Sequence, residues 1–257
     1  MNRPALVGIV NITPDSFSGD GKMARDAVQY AEILLNEGAD IIDLGAESTR
    51  PGASLLSFEE EWARLGPVLE GIANQNWRMR TRLSIDTRHS QTAARALELG
   101  VDIINDVSSF ADPAMIEMLE EHECDIIVMH NLSIPADPAH TLPPDCDMVA
   151  EILRWKASVT TKAQDRGIGK ERLIYDPGIG FGKSAEQSLA LIEAAPKLVA
   201  SGGRWLYGHS RKSFLKKVTD ALDRDDATLE ISVELAVAGV DYLRVHNIRR
   251  HVVLFDK

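Results

Sequence analysis

Eight short apolar runs in this chain each end in residues that can bond a ligand or carry charge. In order these are Asn11, Asp43, Asp86, Asn105 with Asp106, His130, Asp176, His209 with Ser210, and Arg244 with His246. A single Asp or Asn in such a place is often the cap of the helix that follows. A buried carboxylate is costly unless it is paired, so polar endings on every run point to one shared site. A carboxylate accepts two parallel N–H bonds from an amidine or guanidine edge, and an Asn offers both a carbonyl and an amide to an adjacent ring. Asp86, Asn105 and Asp176 together suit a flat guanidine-like heterocycle, of which a pterin is the obvious example.

Basic residues accompany this acidic set. Ser210-Arg211-Lys212-Ser213 follows the seventh run where a helical pattern opens, and Arg244-Val245-His246 closes the eighth. Hydroxyls, cations and free backbone N–H groups at a helix start form a phosphate or pyrophosphate site. Two longer segments, 11–21 after the first run and 45–53 after the second, carry Gly and Pro together with Phe17, Thr49, Arg50 and Pro51. They read as lids over the reacting centre.

The elements that must hold these residues recur as one unit, in which a helical pattern stops at Gly, Asp follows, and a β-branched run begins. Gly38-Ala39-Asp40, Gly100-Val101-Asp102 and Gly239-Val240-Asp241 are its three full versions, and Cys124-Asp125 a fourth without Gly. Gly supplies the left-handed helix end, and a continuous apolar run is a strand buried on both faces. The spacing predicts strands over 5–10, 40–44, 82–86, 102–105, 125–129, 173–176, 204–208 and 241–246. Helices are expected over 25–37, 57–74, 89–99, 112–122, 147–166, 185–194 and 211–236, the last broken near 223–226. Eight alternating β/α units in 257 residues make an α/β protein of the (β/α)₈ TIM-barrel class, whose chemistry sits at the C-terminal strand ends. A doubly wound sheet is disfavoured because no G-x-G-x-x-G follows the first strand. No linker or low-complexity stretch interrupts residues 1–257, which read as a single domain.

The chain carries 39 acidic against 28 basic residues, a net charge of −11. That argues against a nucleic-acid binder, and any anion must be held locally. No run reaches the roughly 18 apolar residues of a membrane span, and residues 1–10 lack a signal-peptide pattern. A cytoplasmic protein without membrane or nucleic-acid partners is expected. Cys124, read as ending a helix, and Cys146, in a loop, have neither C-x-x-C nor zinc spacing and read as reduced thiols.

The segments 8–18 (GIVNITPDSFS), 47–53 (ESTRPGA), 84–87 (SIDT), Asn105-Asp106, 128–130 (VMH), 176–183 (DPGIGFGK), 210–214 (SRKSF) and 244–246 (RVH) resemble, in order, the motifs of the dihydropteroate synthase family. The resemblance implies a folate-pathway transferase that joins 6-hydroxymethyl-7,8-dihydropterin diphosphate to 4-aminobenzoate, releasing pyrophosphate and 7,8-dihydropteroate, with Mg²⁺ as cofactor. Sulfonamides would act as mimics of 4-aminobenzoate. By motif position, Asp86, Asn105, Asp176 and Lys212 would hold the pterin. Asn11, Thr49, Ser210, Arg244 and His246 would hold the pyrophosphate, with Asn11 also touching the metal. Thr49, Arg50, Pro51, Phe181, Lys212 and Ser213 would surround 4-aminobenzoate. The resemblance also suggests a homodimer through late helices.

Four features depart from the family pattern. Gly19-Asp20-Gly21 shifts or removes an acidic lid residue, Asn131 and Asn247 replace the usual Met and Asp, and the closing helix is short. Two rivals are a non-catalytic pterin-binding paralogue, motivated by the altered first loop, and a methyltetrahydrofolate-binding methyltransferase relative. The second would have no use for a pyrophosphate site.

Overall fold

In the computed structural model, eight parallel strands close into a barrel in strict chain order. The structure describes residues 3–13, 23–49, 52–137, 139–217 and 223–256. The strands are β1 Ala5–Asn11, β2 Ile41–Gly45, β3 Arg82–Asp86, β4 Ile103–Asp106, β5 Asp125–Met129, β6 Leu173–Asp176, β7 Arg204–Tyr207 and β8 Tyr242–Val245. The helices are α1 Met23–Asn36, α2 Phe58–Ala73, α3 Ser90–Glu98, α4 Pro113–Glu120, α5 Met148–Gln164, α6 Ala185–Glu193, α7 Ala195–Ala200, α8 Arg224–Val237 and α9 Ile248–Phe255. The expected αβ junctions are present: Gly38, Gly100 and Gly239 are left-handed with φ of 103°, 81° and 85°.

Two apolar layers form because each strand is covered on both sides. Val7, Ile41, Ile103, Ile127, Ile174 and Leu206, with Tyr242 packed against them, form one cluster, which fills the inside of the barrel. The larger cluster lies between strands and helices and includes Leu6, Ile42, Leu44, Ile85, Ile104, Ile126 and Leu243. Side chains alternate across a strand, so positions two beyond the inner layer return to the inner face. Two beyond Ile41, Ile103, Ile127, Ile174 and Tyr242 stand Asp43, Asn105, Met129, Asp176 and Arg244. Asp86 follows Ser84 in the same way, since Ser84 pairs in register with Ile103.

Capping residues set the helix starts behind each βα loop. Ser57 with Glu60 and Ser184 with Gln187 form capping boxes on α2 and α6, and Asp112, Asp147, Asp223 and Asn247 cap α4, α5, α8 and α9.

Three expectations are corrected. Cys124 does not end a helix but lies in the connection before β5, beyond the end of α4 at Glu120. The helix expected from residue 185 continues, after a break at Ala194, as α7, with Pro196 near the start of the new turn. No long helix opens at Ser210: Arg211 is left-handed (φ 57°), a five-residue 3₁₀ turn spans Ser213–Lys217, and α8 begins at Arg224.

Candidate functional site at the barrel mouth

Arg244 ties the inner-face residues together. Its Nε donates to Asp43 Oδ2 at 2.6 Å and its guanidinium NH₂ to Asp86 Oδ2 at 2.8 Å. Asn105 Nδ2 reaches the same Asp43 oxygen at 3.4 Å. Although burial works against it, Asp43 and Asp86 hold the Arg244 guanidinium protonated, with its pKa above the usual value. Burial raises Asp86 to about 7, while Arg244 pulls it down and Asp43 pushes it further up. Gly45, paired with Asp86 in the ladder, leaves room for that carboxylate: a Cβ there would stand 3.3 Å from Asp86 Cβ.

Asp176 and Lys212 form the other side. Asp176 is buried, which raises its pKa; Lys212 and the Gly178 N–H, which donates to Asp176 Oδ1 at 2.7 Å, oppose that rise. Burial lowers Lys212 to about 8 against the pull of Asp176. Lys212 Nζ donates to the Ile179 carbonyl and lies 4.9 Å from the centroid of the Phe181 ring, a cation–π contact. Asp86, Asn105, Asp176 and Lys212, the four expected pterin residues, are thus joined through direct bonds or mutual electrostatics. Burial makes Asp86 and Asp176 resist ionisation, and N–H donors from a bound ring would favour their charged forms.

Among the expected anion residues, Ser210 Oγ and His246 Nδ1 are 2.9 Å apart, and the His246 N–H donates to the same hydroxyl at 3.3 Å. Asn11 ends β1, half-buried. Arg244 faces the carboxylates just described. Thr49 lies in the β2 loop, its carbonyl accepting from the Ala136 N–H at 3.1 Å. Phe181 belongs to the loop after β6, and Ser213 is exposed at the start of the 3₁₀ turn. Arg50 and Pro51, together with residues 14–22 of the first loop including Phe17 and Asp20, lie outside the described residues.

The strand-end set divides by phase. Asp106, His130 and His209 stand next to inward positions and therefore turn away from the pocket. Asp106 accepts from the backbone N–H of Ser108 (2.8 Å) and Phe110 (2.6 Å), fixing the β4 loop. His130 meets Lys183, and His209 meets Ser232. Several motif residues are likewise braces. Glu47 accepts from Arg88 and from the Leu56 N–H, and Thr87 Oγ1 donates to Glu61. Arg211 forms a two-pronged pair with Asp225 and does not face an anion site. Asn131 Nδ2 donates to the Val107 carbonyl at 2.8 Å, and Asn247 caps α9 while donating to Asp225. These contacts account for two of the departures from the family pattern.

Asp43, in the sequence only a strand end without a role, joins the candidate site through its contacts. It is fully buried, bonds both Arg244 and Asn105 through Oδ2, and its Oδ1 has no partner among the described residues. The available signal was its place two residues beyond Ile41.

A closed β/α barrel with an acceptor-rich pocket and two partly buried cations, Arg244 and Lys212, at its C-terminal mouth is chemically suited to a planar, N–H-rich ring carrying an anionic substituent. Residues 7–246 match the family described as pterin binding enzyme. The dihydropteroate synthase of Neisseria meningitidis serogroup C is 38% identical over 258 residues, covering 97% of this chain and 89% of that protein. A crystal structure of dihydropteroate synthase from Anaplasma phagocytophilum with bound 6-hydroxymethylpterin-monophosphate has a TM-score of 0.91 at 36% identity, covering 99% of this chain and 98% of that one. A Xanthomonas albilineans dihydropteroate synthase with 4-aminobenzoic acid has a TM-score of 0.88 at 34% identity, covering 98% and 91%. The chain spans only 30% of a probable bifunctional folylpolyglutamate synthase/dihydropteroate synthase of Halobacterium salinarum, to which it is 40% identical over 97% of its own length. The chain belongs to the dihydropteroate synthase family of pterin binding enzymes.

Proposed function

We propose that this protein condenses 6-hydroxymethyl-7,8-dihydropterin diphosphate with 4-aminobenzoate, forming 7,8-dihydropteroate and pyrophosphate. The observation that carries the reading is the joined set Asp86, Asn105, Asp176, Lys212 and Arg244 at the mouth of the barrel. The carboxylates accept the ring N–H groups, and Asn105 reads the adjacent polar edge. In the reaction the bond between the pterin methylene carbon and the diphosphate oxygen breaks, and a bond from that carbon to the aniline nitrogen forms. Positive charge developing on the methylene is stabilised by the acidic pocket, while Ser210, His246, Asn11 and Thr49 receive the leaving group and Arg244 offsets its charge. Phe181, Ser213 and Thr49 border the aminobenzoate side, with Arg50 and Pro51 assigned there by motif alone. No activated side-chain nucleophile is needed, because the neutral amine attacks and its proton then passes to the released pyrophosphate or to solvent.

Among the described residues no three His, Cys, Asp or Glu side chains converge on a metal. A Mg²⁺ ion that keeps most of its waters and rides on substrate phosphate oxygens needs no such cage. The Asn11 amide oxygen is a donor of the required hard type, so the site fits. When bound, the ion would supply charge neutralisation of the departing pyrophosphate.

The reading extends to one pterin-binding domain across residues 1–257, to the cytoplasm, where the free thiols Cys124 and Cys146 are compatible with a reducing medium, and to a homodimer. No described helix is long and apolar enough to cross a membrane. Val233 and Val237 on α8 and Val253 on α9 are 41%, 66% and 56% exposed, apolar side chains that a second copy would cover. Sedimentation at micromolar concentration should give twice the chain mass.

The test of activity is pyrophosphate release with both substrates present. Release only when both are added supports the synthase. Pterin binding without turnover would make the protein a non-catalytic paralogue, and methyl transfer from methyltetrahydrofolate would make it a methyltransferase relative.

A further inference from the structure

Lys183 is 6% exposed at the mouth of the barrel, and no step of the reaction above uses it. Its ammonium has three acceptors around it: His130 Nδ1 at 2.8 Å, the Phe181 carbonyl at 2.9 Å and the His130 carbonyl at 3.3 Å. An ammonium has three protons and no lone pair, so all three acceptors are served only by the charged form. Burial and the neighbouring Lys183 charge lower His130 to about 4, leaving the ring neutral. Its Nδ1 then accepts from Lys183, and its Nε2 proton faces Glu151 Oε1 at 3.5 Å.

The loop held by these bonds needs an anchor. Gly178, Gly180 and Gly182 all have positive φ (69°, 81° and 66°) within five residues, which leaves the segment much freedom to lose. It lies directly on the end of β5, where a Cβ on Gly178 would stand 1.8 Å from the His130 carbonyl oxygen. Phe181 is carried by this loop.

We propose that Lys183 is a positioning residue, whose ammonium clamps the β6–α6 loop to the end of β5 and so holds Phe181 at the aminobenzoate subsite. The inference rests on the reading of Phe181 as an aminobenzoate contact. Burial, with Lys212 acting in the same direction, brings Lys183 down to about 7, opposed by Asp176 from β6 and Glu151 from α5. His130 is the remaining titratable neighbour. Above neutrality one of the three donors is lost, and the loop loosens.

The experiment measures KM for each substrate separately, from about pH 6 to about pH 9, in the native protein and in Lys183→Met, Lys183→Gln and Phe181→Ala. Expected for Lys183→Met is an aminobenzoate KM raised about tenfold with kcat and the pterin diphosphate KM within about twofold. Lys183→Gln keeps two donors and should fall between; it also serves if Lys183→Met fails to fold. In the native protein the aminobenzoate KM should rise above about pH 7 while the substrate stays a monoanion, and that rise should vanish in the Lys183 variants. Parallel changes in both KM values indicate general loss of structure and overturn the proposal. So does a native KM that is flat with pH, or a rise that persists in the variants and therefore belongs to Lys212. An unchanged aminobenzoate KM in Phe181→Ala overturns the placement of Phe181 and the clamp with it. A raised KM there, with no effect in either Lys183 variant, overturns the clamp alone.

Discussion

Asp176 is the simplest residue to test, because its work is confined to the pocket. Its carboxylate is nearly buried and is bonded by the Gly178 N–H. Asp176→Ala leaves ring N–H donors of the bound pterin unpaired, and calorimetric titration should record a loss of about 2–3 kcal/mol in pterin diphosphate binding, with the fold retained. Arg244 is different, since it also pairs with the buried Asp43 and the partly buried Asp86. In the native protein Asp86 is raised to about 7, so the fold binds a proton that the unfolded chain has already released above about pH 4. Stability from this group therefore falls as pH rises from about 4 to about 7, then levels off. Arg244→Ala removes the opposing charge and moves the folded pKa higher. Above pH 7 the variant should go on losing about 1.4 kcal/mol per pH unit where the native protein does not. Urea unfolding at pH 7, 8 and 9 measures it, and parallel curves would show that Arg244 does not govern Asp86.

Between residue and molecule stand the βα loops, and the loop after β4 shows how one is held. Ser109 and Phe110 both take left-handed backbones (φ 55° and 60°) without being Gly. Asp106 fixes the turn through the Ser108 and Phe110 amides, and Ser109 Oγ donates to the Met129 carbonyl at 2.8 Å while accepting from Trp155 Nε1 at 3.1 Å. The loop thus hangs on β5 and α5, and the strain is tolerated because its surroundings determine it. Ser109→Ala keeps the strain and loses both bonds, whereas Ser109→Gly loses the bonds and relieves the strain. Thermal unfolding should find the Gly variant more stable than the Ala variant by about 1 kcal/mol. The reverse order would mean that the left-handed turn is not kept in solution.

Across the molecule, a buried chain of polar groups links the end of β7 to the last two helices. His209 Nε2 lies 2.9 Å from Ser232 Oγ, which lies 2.9 Å from His251 Nε2, and His251 Nδ1 reaches the Asn247 carbonyl at 2.7 Å. The Thr228 carbonyl, 3.1 Å from His209 Nε2, and the Asn247 carbonyl can only accept, which assigns a proton to His209 Nε2 and to His251 Nδ1. Burial lowers His209 to about 3, so it stays neutral in the fold where the unfolded chain takes up a proton. The unfolded state binds more protons between about pH 3 and pH 6.5, and stability from His209 falls as pH drops through that window. At pH 5 the loss is about 2 kcal/mol. Buried carboxylates shift the other way, so the contribution is isolated by comparison with His209→Gln. The native protein should lose more stability between pH 7.5 and pH 5 than the variant by about that amount. Equal losses would show that His209 is not a buried neutral group.

The αβ junctions were legible because a helix ending at Gly38, Gly100 or Gly239 and restarting as an apolar run has few other solutions. The pocket was legible in outline, since Asp86, Asn105, Asp176 and Lys212 lie on motifs whose chemistry limits what they can bind. The sequence could not tell which of two adjacent polar residues faces inward. Strands of a parallel barrel are buried on both faces, so hydrophobicity does not separate Asn105 from Asp106, nor Met129 from His130. Only closure of the barrel, which puts Ile41, Ile103 and Ile174 inside, sends Asp43, Asn105 and Asp176 to the pocket and turns Asp106 and His130 into braces. The roles of Asp43 and Lys183 were hidden for a related reason. Each acts through partners far away in the chain, Asp43 through Arg244 201 residues on and Lys183 through His130 53 residues before it. Contacts of that range exist only once tertiary packing has brought the strand ends together.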